Sequence, residues 1–289
     1  MDTYHLGSFT VHRVGFGAMQ LPGPGVMGPP RDHDEAVAVL RRAVELGVDH
    51  IDTAQYYGPD VANDLIREAL HPYPDDLVLV SKVGGSRDAK GGWPPAQRPE
   101  QLRSAVEENL RSLGIDQLGA VNLRLMGEHD LPADQQVALE DQLAEMVALR
   151  DEGKIAGVGI STANRAQVEQ AIAQADIVCV QNPFSLVDQK DADVLDLCHT
   201  AGIAYVPYFP LGSAFPGMPK VTENAAVQAV AERVGASPAQ VGLAWLLAHR
   251  DNILLIPGTS SVAHLEDNLR VADLTLSADD VAELDQAVS

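Results

Sequence analysis

The sequence is poor in cysteine, in aromatic residues and in long apolar runs. Its 289 residues include only two cysteines, Cys179 and Cys198. Two cysteines make no disulfide framework for a chain of this length, which is typical of a reducing compartment. No apolar run approaches the ~20 residues that a membrane-spanning helix needs, and the first residues have neither the basic start nor the apolar stretch of a signal peptide. We therefore expect a soluble, cytoplasmic protein.

Positive charge is also scarce. The chain carries 20 lysines and arginines against 41 aspartates and glutamates, a formal net charge of -21. Such a surface repels phosphate backbones and anionic membranes, so neither nucleic acid nor a membrane is an expected partner. No linker, low-complexity tract or charge block divides the chain, which predicts one domain spanning residues 1–289.

What the sequence does contain is a repeated pattern, in which a short apolar run is followed by a segment of helical period. Most of the runs are almost continuously apolar, as strands covered on both faces should be. Eight such units in roughly 250 residues are typical of an α/β fold of the TIM (β/α)8 barrel type. The predicted strands are Val14–Met19, Val48–Asp52, Leu77–Val83, Leu118–Arg124, Ile155–Ile160, Ile177–Asn182, Ile203–Tyr208 and Ile253–Pro257.

An open, doubly wound sheet is the alternative architecture. It would need a glycine-rich dinucleotide turn after the first strand. The nearest candidate, Gly15-Phe16-Gly17-Ala18-Met19-Gln20, lacks the third glycine, and no helix follows it directly. This segment is therefore rejected as a dinucleotide turn, and the barrel is favoured.

Helix ends are marked by residues that start or stop helices. Pro99 and Gly114 can open and close one helix, and Asp60 is expected to cap the helix Val61–Leu70.

Three extra parts are expected around the barrel. Residues Tyr4–Arg13 predict an N-terminal β-hairpin that plugs one face, and further C-terminal helices are expected from about Val262 and about Ala278. The glycine- and proline-rich segment Gly84–Pro99 is predicted to be a long mobile loop. In a barrel such a loop lies on the face that carries the chemistry.

Four polar residues fall at or just after the ends of three successive predicted strands: Asp52, Tyr57, Lys82 and Arg124. Reduction of a carbonyl group needs a proton donor for the oxygen and stabilisation of the charge that develops there. A free tyrosine, with a pKa near ~10, holds its proton too tightly unless a cation lies beside it. Lys82 can supply that cation, and Asp52 can pair with Lys82 and hold it in place. Tyr57 is then the predicted proton donor.

These residues lie in segments that resemble the aldo-keto reductases. Gly47–Gly58 resembles the leading signature of that family, Ser112–Asp116 the approach to its fourth strand, and Ile256–Ser261 its cofactor segment. The resemblance implies a TIM barrel that binds NADP(H) in an extended conformation, with Asp52, Tyr57 and Lys82 as three of the four catalytic residues. The fourth place, usually histidine, is Arg124. Histidine can relay a proton, whereas arginine stays cationic and can only donate.

The resemblance also implies a set of cofactor contacts. Ser161 and Gln181 would bind the nicotinamide amide, and Tyr208 would stack on the nicotinamide ring. The pyrophosphate would lie in the loop of Leu211, Gly212 and Ser213. A phosphate would bind at the start of a helix, at Thr259, Ser260 and Ser261, and Asn268 would contact the adenine.

Three positions depart from the cofactor pattern of the family. Thr162 stands where asparagine is usual, and Gly258 and His264 stand where a lysine and an arginine usually grip the 2′-phosphate. NADPH is the cofactor that the resemblance implies, and NADH is not excluded.

Within the family, several stretches resemble the bacterial pyridoxal reductases, also called pyridoxine 4-dehydrogenases. They include Gly23–Val26, Gly28–Asp32 and Val121–Arg124, the last of which carries the arginine at the fourth catalytic place. The resemblance implies that the small-molecule carbonyl substrate is pyridoxal, reduced to pyridoxine. Three alternatives remain open: a reductase of another aldehyde, ketone or quinone; a non-catalytic, cofactor-binding regulatory subunit; and a metal enzyme. The last is the weakest, because the histidines are scattered without ligand spacing. The oligomeric state is also open, and a monomer is plausible.

Overall fold

A computed structural model describes residues 2–127, 131–212 and 219–287. Ten strands and ten α-helices lie in the described part of the chain. The strands are β1 (Thr3–Leu6), β2 (Phe9–His12), β3 (Phe16–Gly17), β4 (His50–Asp52), β5 (Val78–Gly85), β6 (Pro95–Ala96), β7 (Ala120–Arg124), β8 (Val158–Ser161), β9 (Cys179–Gln181) and β10 (Ala204–Tyr205). The helices are α1 (His33–Glu45), α2 (Val61–Leu70), α3 (Pro99–Leu113), α4 (Leu139–Asp151), α5 (Arg165–Ala175), α6 (Ala192–Ala201), α7 (Ala225–Val234), α8 (Pro238–His249), α9 (Val262–Leu269) and α10 (Ala278–Gln286).

Seven parallel strands follow one another around the barrel in the order β3, β4, β5, β7, β8, β9 and β10. Residues 252–256 occupy the eighth place, between the two ends of this sheet. The amide of Leu254 donates to the carbonyl of Tyr205 at 2.9 Å, and the amide of Gly15 donates to the carbonyl of Leu255 at 2.8 Å. Because this segment bonds to both edges, the sheet closes on itself, and the predicted TIM barrel is confirmed.

Several strands are shorter than the apolar runs that predicted them. The first run, Val14–Met19, gives only the two-residue strand β3, and Met19 lies in a 3₁₀ turn spanning Ala18–Gln20. The eighth run forms single bridges to its neighbours and no continuous strand. An apolar run indicates that its residues are buried, but a strand also needs backbone hydrogen bonds to a neighbouring strand. Ala18 is fully buried and has no such strand pairing, so the apolar run is longer than the strand.

Most of the predicted helix ends are correct. Helix α3 begins at Pro99, and Gly114 ends it in the left-handed conformation (φ 70°), with its N–H donating to the carbonyl of Leu110. Helix α2 has its predicted bounds, but Asp60 was wrongly expected to cap it. Asp60 is itself left-handed (φ 62°), and its carboxylate accepts from Gln55 Nε2 at 3.2 Å instead of from an amide of the helix.

The N-terminal hairpin is confirmed and packs against one end of the barrel. Strands β1 and β2 pair antiparallel around Gly7, which has φ 62°. Leu6 and Val11 belong to a second apolar cluster formed with inward-facing barrel residues, among them Val80 and Leu254. The hairpin therefore buries apolar surface at the bottom of the barrel, away from the ends of the strands where Asp52 and Arg124 lie. The two expected C-terminal helices are α9 and α10.

The segment Gly84–Pro99, predicted as a long mobile loop, is irregular over residues 86–94, but a short antiparallel pairing holds its two ends together. Strand β5 continues to Gly85 and pairs antiparallel with β6, with Gly84 opposite Ala96. Further out, the amide of Ser86 donates to the carbonyl of Pro94 at 2.9 Å, and Asp88 Oδ1 accepts from two amides of the tip at 2.8 Å. We call residues 84–96 the roof hairpin. Glycine and proline content indicated a loop because cross-strand pairing leaves little trace in composition.

No helix in the described ranges is both long enough and apolar enough to cross a membrane.

Packing inside the barrel generates a stability prediction. A Cβ atom at Gly15 would lie 2.3 Å from Nε2 of the buried His50. We expect Gly15→Ala to lower the free energy of unfolding by about 1–3 kcal/mol, because overpacking forces a side chain or the backbone to move. Urea denaturation measures the change.

The matched control is Gly127→Ala, since among the described residues no atom lies within 4 Å of a Cβ placed at Gly127. The control should stay within about 0.5 kcal/mol of the parent protein. Equal midpoints for the two variants would contradict the close contact between Gly15 and His50.

Candidate active site

A cavity of ≈ 440 Å³ opens at the carboxyl ends of the barrel strands. It brings together the four predicted catalytic residues and five of the predicted cofactor residues. These are Asp52, Tyr57, Lys82, Arg124, Gln181, Tyr208, Leu211, Gly212 and Asn268. Residues from distant parts of the chain therefore meet in one hole, as the barrel topology requires.

A buried ion pair lies at the bottom of this site. The register of β4 and β5 sets Asp52 opposite Val80, and Lys82 lies two residues further along β5 on the same face. The Lys82 ammonium forms a short ion pair with Asp52 Oδ1 and donates to the carbonyl of Thr53 at 3.0 Å. The second carboxylate oxygen, Oδ2, accepts from Gln181 Nε2 at 2.9 Å. Both charged groups are thus hydrogen-bonded, which is what burial of a charge requires.

Tyr57 lies in the turn after β4 and is 3% exposed. Its amide donates to the carbonyl of Ala54 at 3.0 Å, which sets the tyrosine above the strand end. The Lys82 ammonium lies 5.1 Å from the centre of the Tyr57 ring, a cation–π contact. The predicted lysine and tyrosine are therefore neighbours. The contact that the structure records is to the ring of Tyr57, and the hydrogen bonds of the ammonium go to Asp52 and Thr53.

Burial raises the pKa of Tyr57 well above its ordinary value, and the Asp52 carboxylate raises it further. Arg124 acts in the opposite direction, because a cation favours the phenolate. The sequence assigned this lowering mainly to Lys82. In the structure Arg124 contributes to this lowering, and the Lys82 ammonium lies near the ring while paired with Asp52.

Arg124 ends β7 and is half-buried at the cavity wall. Its guanidinium carbon lies 5.9 Å from the centre of the Tyr208 ring. Burial raises the pKa of Tyr56, which lies edge-on to Tyr57 at 5.5 Å between ring centres, and the charges of Arg124 and Lys82 act against that rise. Arg124 and Lys82 are therefore both cations that lie near the aromatic groups of the site.

The two residues expected at the nicotinamide amide differ in their surroundings. Gln181 lines the cavity, and its Oε1 is buried without a hydrogen-bond partner in the described structure. Ser161 ends β8 and is fully buried, but it lines neither this cavity nor the neighbouring one. The next residue, Thr162, is left-handed with φ 59°. Asparagine adopts this conformation more readily than a β-branched residue does, so threonine here is strained.

The predicted phosphate segment lies beside a second cavity of ≈ 480 Å³, which shares Met19, Gln20 and Phe209 with the first. Ser260 lines this second cavity. Two amides at the start of α9 already have acceptors, since the amide of Ser261 donates to Thr259 Oγ1 at 3.1 Å and that of Val262 to Glu35 Oε1 at 2.9 Å. A phosphate would therefore compete with Glu35 for this helix start.

Three further positions were considered for the phosphate groups of the cofactor. Ser213, predicted in the pyrophosphate loop, lies outside the described residues. Gly258 has no room for the lysine that is usual there, because a Cβ would lie 2.5 Å from the carbonyl oxygen of Gly17. His264 is exposed on α9.

Phe209 is a cavity residue that the sequence analysis did not select. It lines both cavities and is left-handed, with φ 56°. Pro210 follows it, and a residue before proline is normally extended. Strained backbone of this kind is often found at functional sites. Nothing in the local sequence signals it, because only the surrounding loops hold Phe209 in that conformation.

The chain is similar in sequence to known proteins of one family. A sequence model of the Aldo/keto reductase family matches residues 13–289. Pyridoxine 4-dehydrogenase of Escherichia coli is 47% identical over 285 residues, which cover 98% of this chain and 97% of that protein. An uncharacterized oxidoreductase of Schizosaccharomyces pombe is 37% identical over 98% of this chain and 89% of its own length.

Solved structures give the same result. An aldo/keto reductase from Klebsiella pneumoniae, crystallised with NADP and acetate, superposes with a TM-score of 0.80 at 26% identity over 98% of this chain and 94% of that one. The thermostable aldo-keto reductase Tm1743, in complex with the inhibitor epalrestat, gives a TM-score of 0.83 at 28% identity over 99% of this chain and 100% of that one.

The buried ion pair generates a prediction about stability. We expect Lys82→Met to lower the free energy of unfolding by about 3–5 kcal/mol, because it leaves the Asp52 charge buried without its partner. The double variant Asp52→Asn/Lys82→Met should lose less than Lys82→Met alone, since it removes both charges. Urea denaturation of the three proteins measures this, and a double variant less stable than Lys82→Met would contradict it.

Proposed function

Because the chain belongs to the aldo/keto reductase family, we propose that it is an NADPH-dependent reductase that converts an aldehyde to an alcohol, and that pyridoxal is its substrate, with pyridoxine as the product. The buried pair of Lys82 and Asp52 beside Tyr57, at the bottom of an open cavity, is the observation that carries this proposal. When bound, the nicotinamide supplies the hydride. The residues of the chain supply the proton and the charge stabilisation.

Tyr57 is the proton donor in this proposal. Its raised pKa keeps the phenol protonated throughout the neutral range, so the hydrogen is present when a carbonyl oxygen needs it. As negative charge develops on that oxygen, its basicity rises and it takes the proton. The nearby cations Lys82 and Arg124 then stabilise the phenolate that remains.

Arg124 takes the place that histidine usually holds in the family. Arginine cannot relay a proton, so it acts by donating hydrogen bonds and by its charge. Pyridoxal carries a hydroxyl group next to its aldehyde, and the oxyanion of that hydroxyl is an acceptor for a guanidinium. Arg124 would thereby orient the aldehyde towards Tyr57, which favours pyridoxal over aldehydes that lack a neighbouring oxygen.

The residues present fit a nicotinamide cofactor. The unpartnered Oε1 of Gln181 is an acceptor for a carboxamide N–H, and the ring of Tyr208 at the cavity wall offers a stacking face. Leu211, Gly212 and Asn268 line the same space. Thr259, Ser260 and Ser261 at the start of α9 are proposed for the phosphate, with Ser161 and Ser213 as further contacts. Position 258 is glycine where the family usually has a lysine that binds the 2′-phosphate, and Glu35 places a carboxylate at the start of α9. NADH therefore remains a competing cofactor.

The similarity to the Escherichia coli enzyme supports the choice of pyridoxal, because it extends along nearly the whole of both chains. The cavity, at ≈ 440 Å³, is in the size range of small-molecule pockets. A cofactor-binding regulatory subunit would not need the ion pair beside Tyr57. Burying two charges costs free energy, and a protein without catalytic activity would have no reason to keep them. The buried Asp52 and Lys82 therefore favour an enzyme.

The substrate assignment is tested with a panel of aldehydes. We expect purified protein with NADPH to reduce pyridoxal with a higher kcat/KM than simple aliphatic and aromatic aldehydes, because only pyridoxal offers an oxyanion to Arg124 next to its aldehyde. NADPH absorbance measures the rate. Equal or better turnover of the simple aldehydes would remove pyridoxal as the substrate and leave a reductase of another aldehyde, ketone or quinone.

The role of Tyr57 is tested by removing its hydroxyl. Tyr57→Phe should lower kcat by about 10²–10⁴-fold, because the general acid is lost, while the Kd for NADPH stays close to that of the parent protein. Tyr73→Phe is the control, since the Tyr73 hydroxyl donates to the carbonyl of Leu113, away from the cavity. A Tyr57→Phe variant that kept its turnover would identify another proton donor.

A further inference from the structure

Two segments beyond the strand ends line the two cavities. One is the roof hairpin, which contributes Trp93 to the cavity wall. The other, residues 22–30, follows β3 and lines the second cavity; we call it the first loop. Arg87 of the roof hairpin joins them, because it donates through Nη2 to the carbonyl of Gly25 at 2.7 Å and to that of Val26 at 3.1 Å.

The same guanidinium lies on the face of Trp93. Its central carbon is 3.8 Å from the centre of the indole ring, well inside the ~6 Å range of cation–π contacts. The indole in turn lies edge-on to Tyr56 at 5.6 Å and to Tyr57 at 6.4 Å between ring centres. A continuous series of contacts therefore runs from the first loop through Arg87 and Trp93 to the proposed proton donor.

This arrangement carries a free-energy cost. Nε and Nη1 of Arg87 are buried without hydrogen-bond partners in the described structure, and burial lowers the pKa of the guanidinium. Val26, whose carbonyl accepts from Arg87, is left-handed with φ 59°, a rare conformation for a β-branched residue. Such strain persists only where neighbouring contacts fix the backbone.

The first loop has a second attachment, which is next to the proposed acid. The amide of Gly28 donates to the carbonyl of Gly58 at 2.9 Å, and Gly58 directly follows Tyr57. The loop is thus fastened at one point beside Tyr57 and at another to Arg87. Arg87, with two buried and unpartnered N–H groups, thus connects a strained valine to the indole that lines the cavity.

We infer that Arg87 is a positioning residue for substrate selection, which latches the first loop to the roof hairpin and holds Trp93 as a fixed wall over Tyr57. This role rests on the proposed function, since it concerns the substrate of that same cavity. A fixed indole wall favours flat, aromatic aldehydes, which gain dispersion contacts along their whole length. A small aliphatic aldehyde touches little of this wall and depends less on its position.

The first test uses tryptophan fluorescence of the cofactor-free protein. The chain has two tryptophans, and Trp245 is fully buried in the core, with its Nε1–H donating to Asp285. We expect Arg87→Ala to shift the emission of Trp93 to longer wavelength, because the indole face loses its cation and gains water. Arg87→Lys should restore part of the shift, and in a Trp93→Phe background Arg87→Ala should change nothing.

The matched control is Arg150→Ala. Arg150 is also partly buried and ties two segments through one bond from Nη1 to a backbone carbonyl, that of Ala175 at 2.7 Å, but it lies on the outer helices. Its variant should leave the emission unchanged. If Arg87→Ala gives the same spectrum as Arg150→Ala, the latch is refuted, whatever the enzyme does.

The second test separates binding from chemistry. For Arg87→Ala we expect KM for pyridoxal to rise about 5–20-fold through the lost charged hydrogen bonds and cation–π contact, with kcat changed by less than about twofold. KM for propanal and the Kd for NADPH should stay within about twofold of the parent. In the Trp93→Phe background the rise in KM should largely disappear, because the two residues act as one unit.

A fall in kcat with KM unchanged, or equal rises in KM for pyridoxal and propanal, would refute the role in substrate selection. If the parent protein reduces no aldehyde at all, the proposed function fails, and the emission spectra still decide whether Arg87 holds Trp93.

Discussion

The site depends on one electrostatic constraint, which is that the charge of Lys82 must be matched inside the barrel. Its ammonium is almost completely buried, and Asp52 and the carbonyl of Thr53 satisfy it. Because Gln181 holds the other oxygen of Asp52, three strands fix the pair. The pair therefore cannot move without uncovering a charge. It gives the turn that carries Tyr57 a rigid base.

This division of charge also explains the arginine at the fourth place. Lys82 is paired with Asp52, and Arg124 adds a second cation, which counteracts the rise in the Tyr57 pKa. A guanidinium stays charged whatever its surroundings, which makes it suited to stabilising an oxyanion and unsuited to relaying a proton. The chemistry proposed here therefore assigns the proton to one residue and the charge to another.

The roof of the cavity and its base are held together by different kinds of contact. The base is formed by strands that are joined by backbone hydrogen bonds around the barrel. The roof is formed by two segments that Arg87 connects. Its backbone is strained at Val26 and at Phe209, which are both left-handed. Rigid strands hold the reacting groups, while side-chain contacts between loops set the shape of the opening. In a barrel this is how substrate preference can change while the chemistry is retained.

Apolar period and strand-end position are local properties, and from them the sequence predicted the barrel, its hairpin plug and the meeting of Asp52, Tyr57, Lys82 and Arg124 at one end of the barrel. It did not determine the left-handed conformation of Asp60, the roof hairpin, or the further hydrogen bonds of the ion pair to Thr53 and Gln181. These depend on atoms brought together from distant parts of the chain. Two further features depend on distances that only the closed barrel sets. The carbonyl of Gly17 excludes a side chain at position 258, and Arg87 donates a hydrogen bond to the first loop.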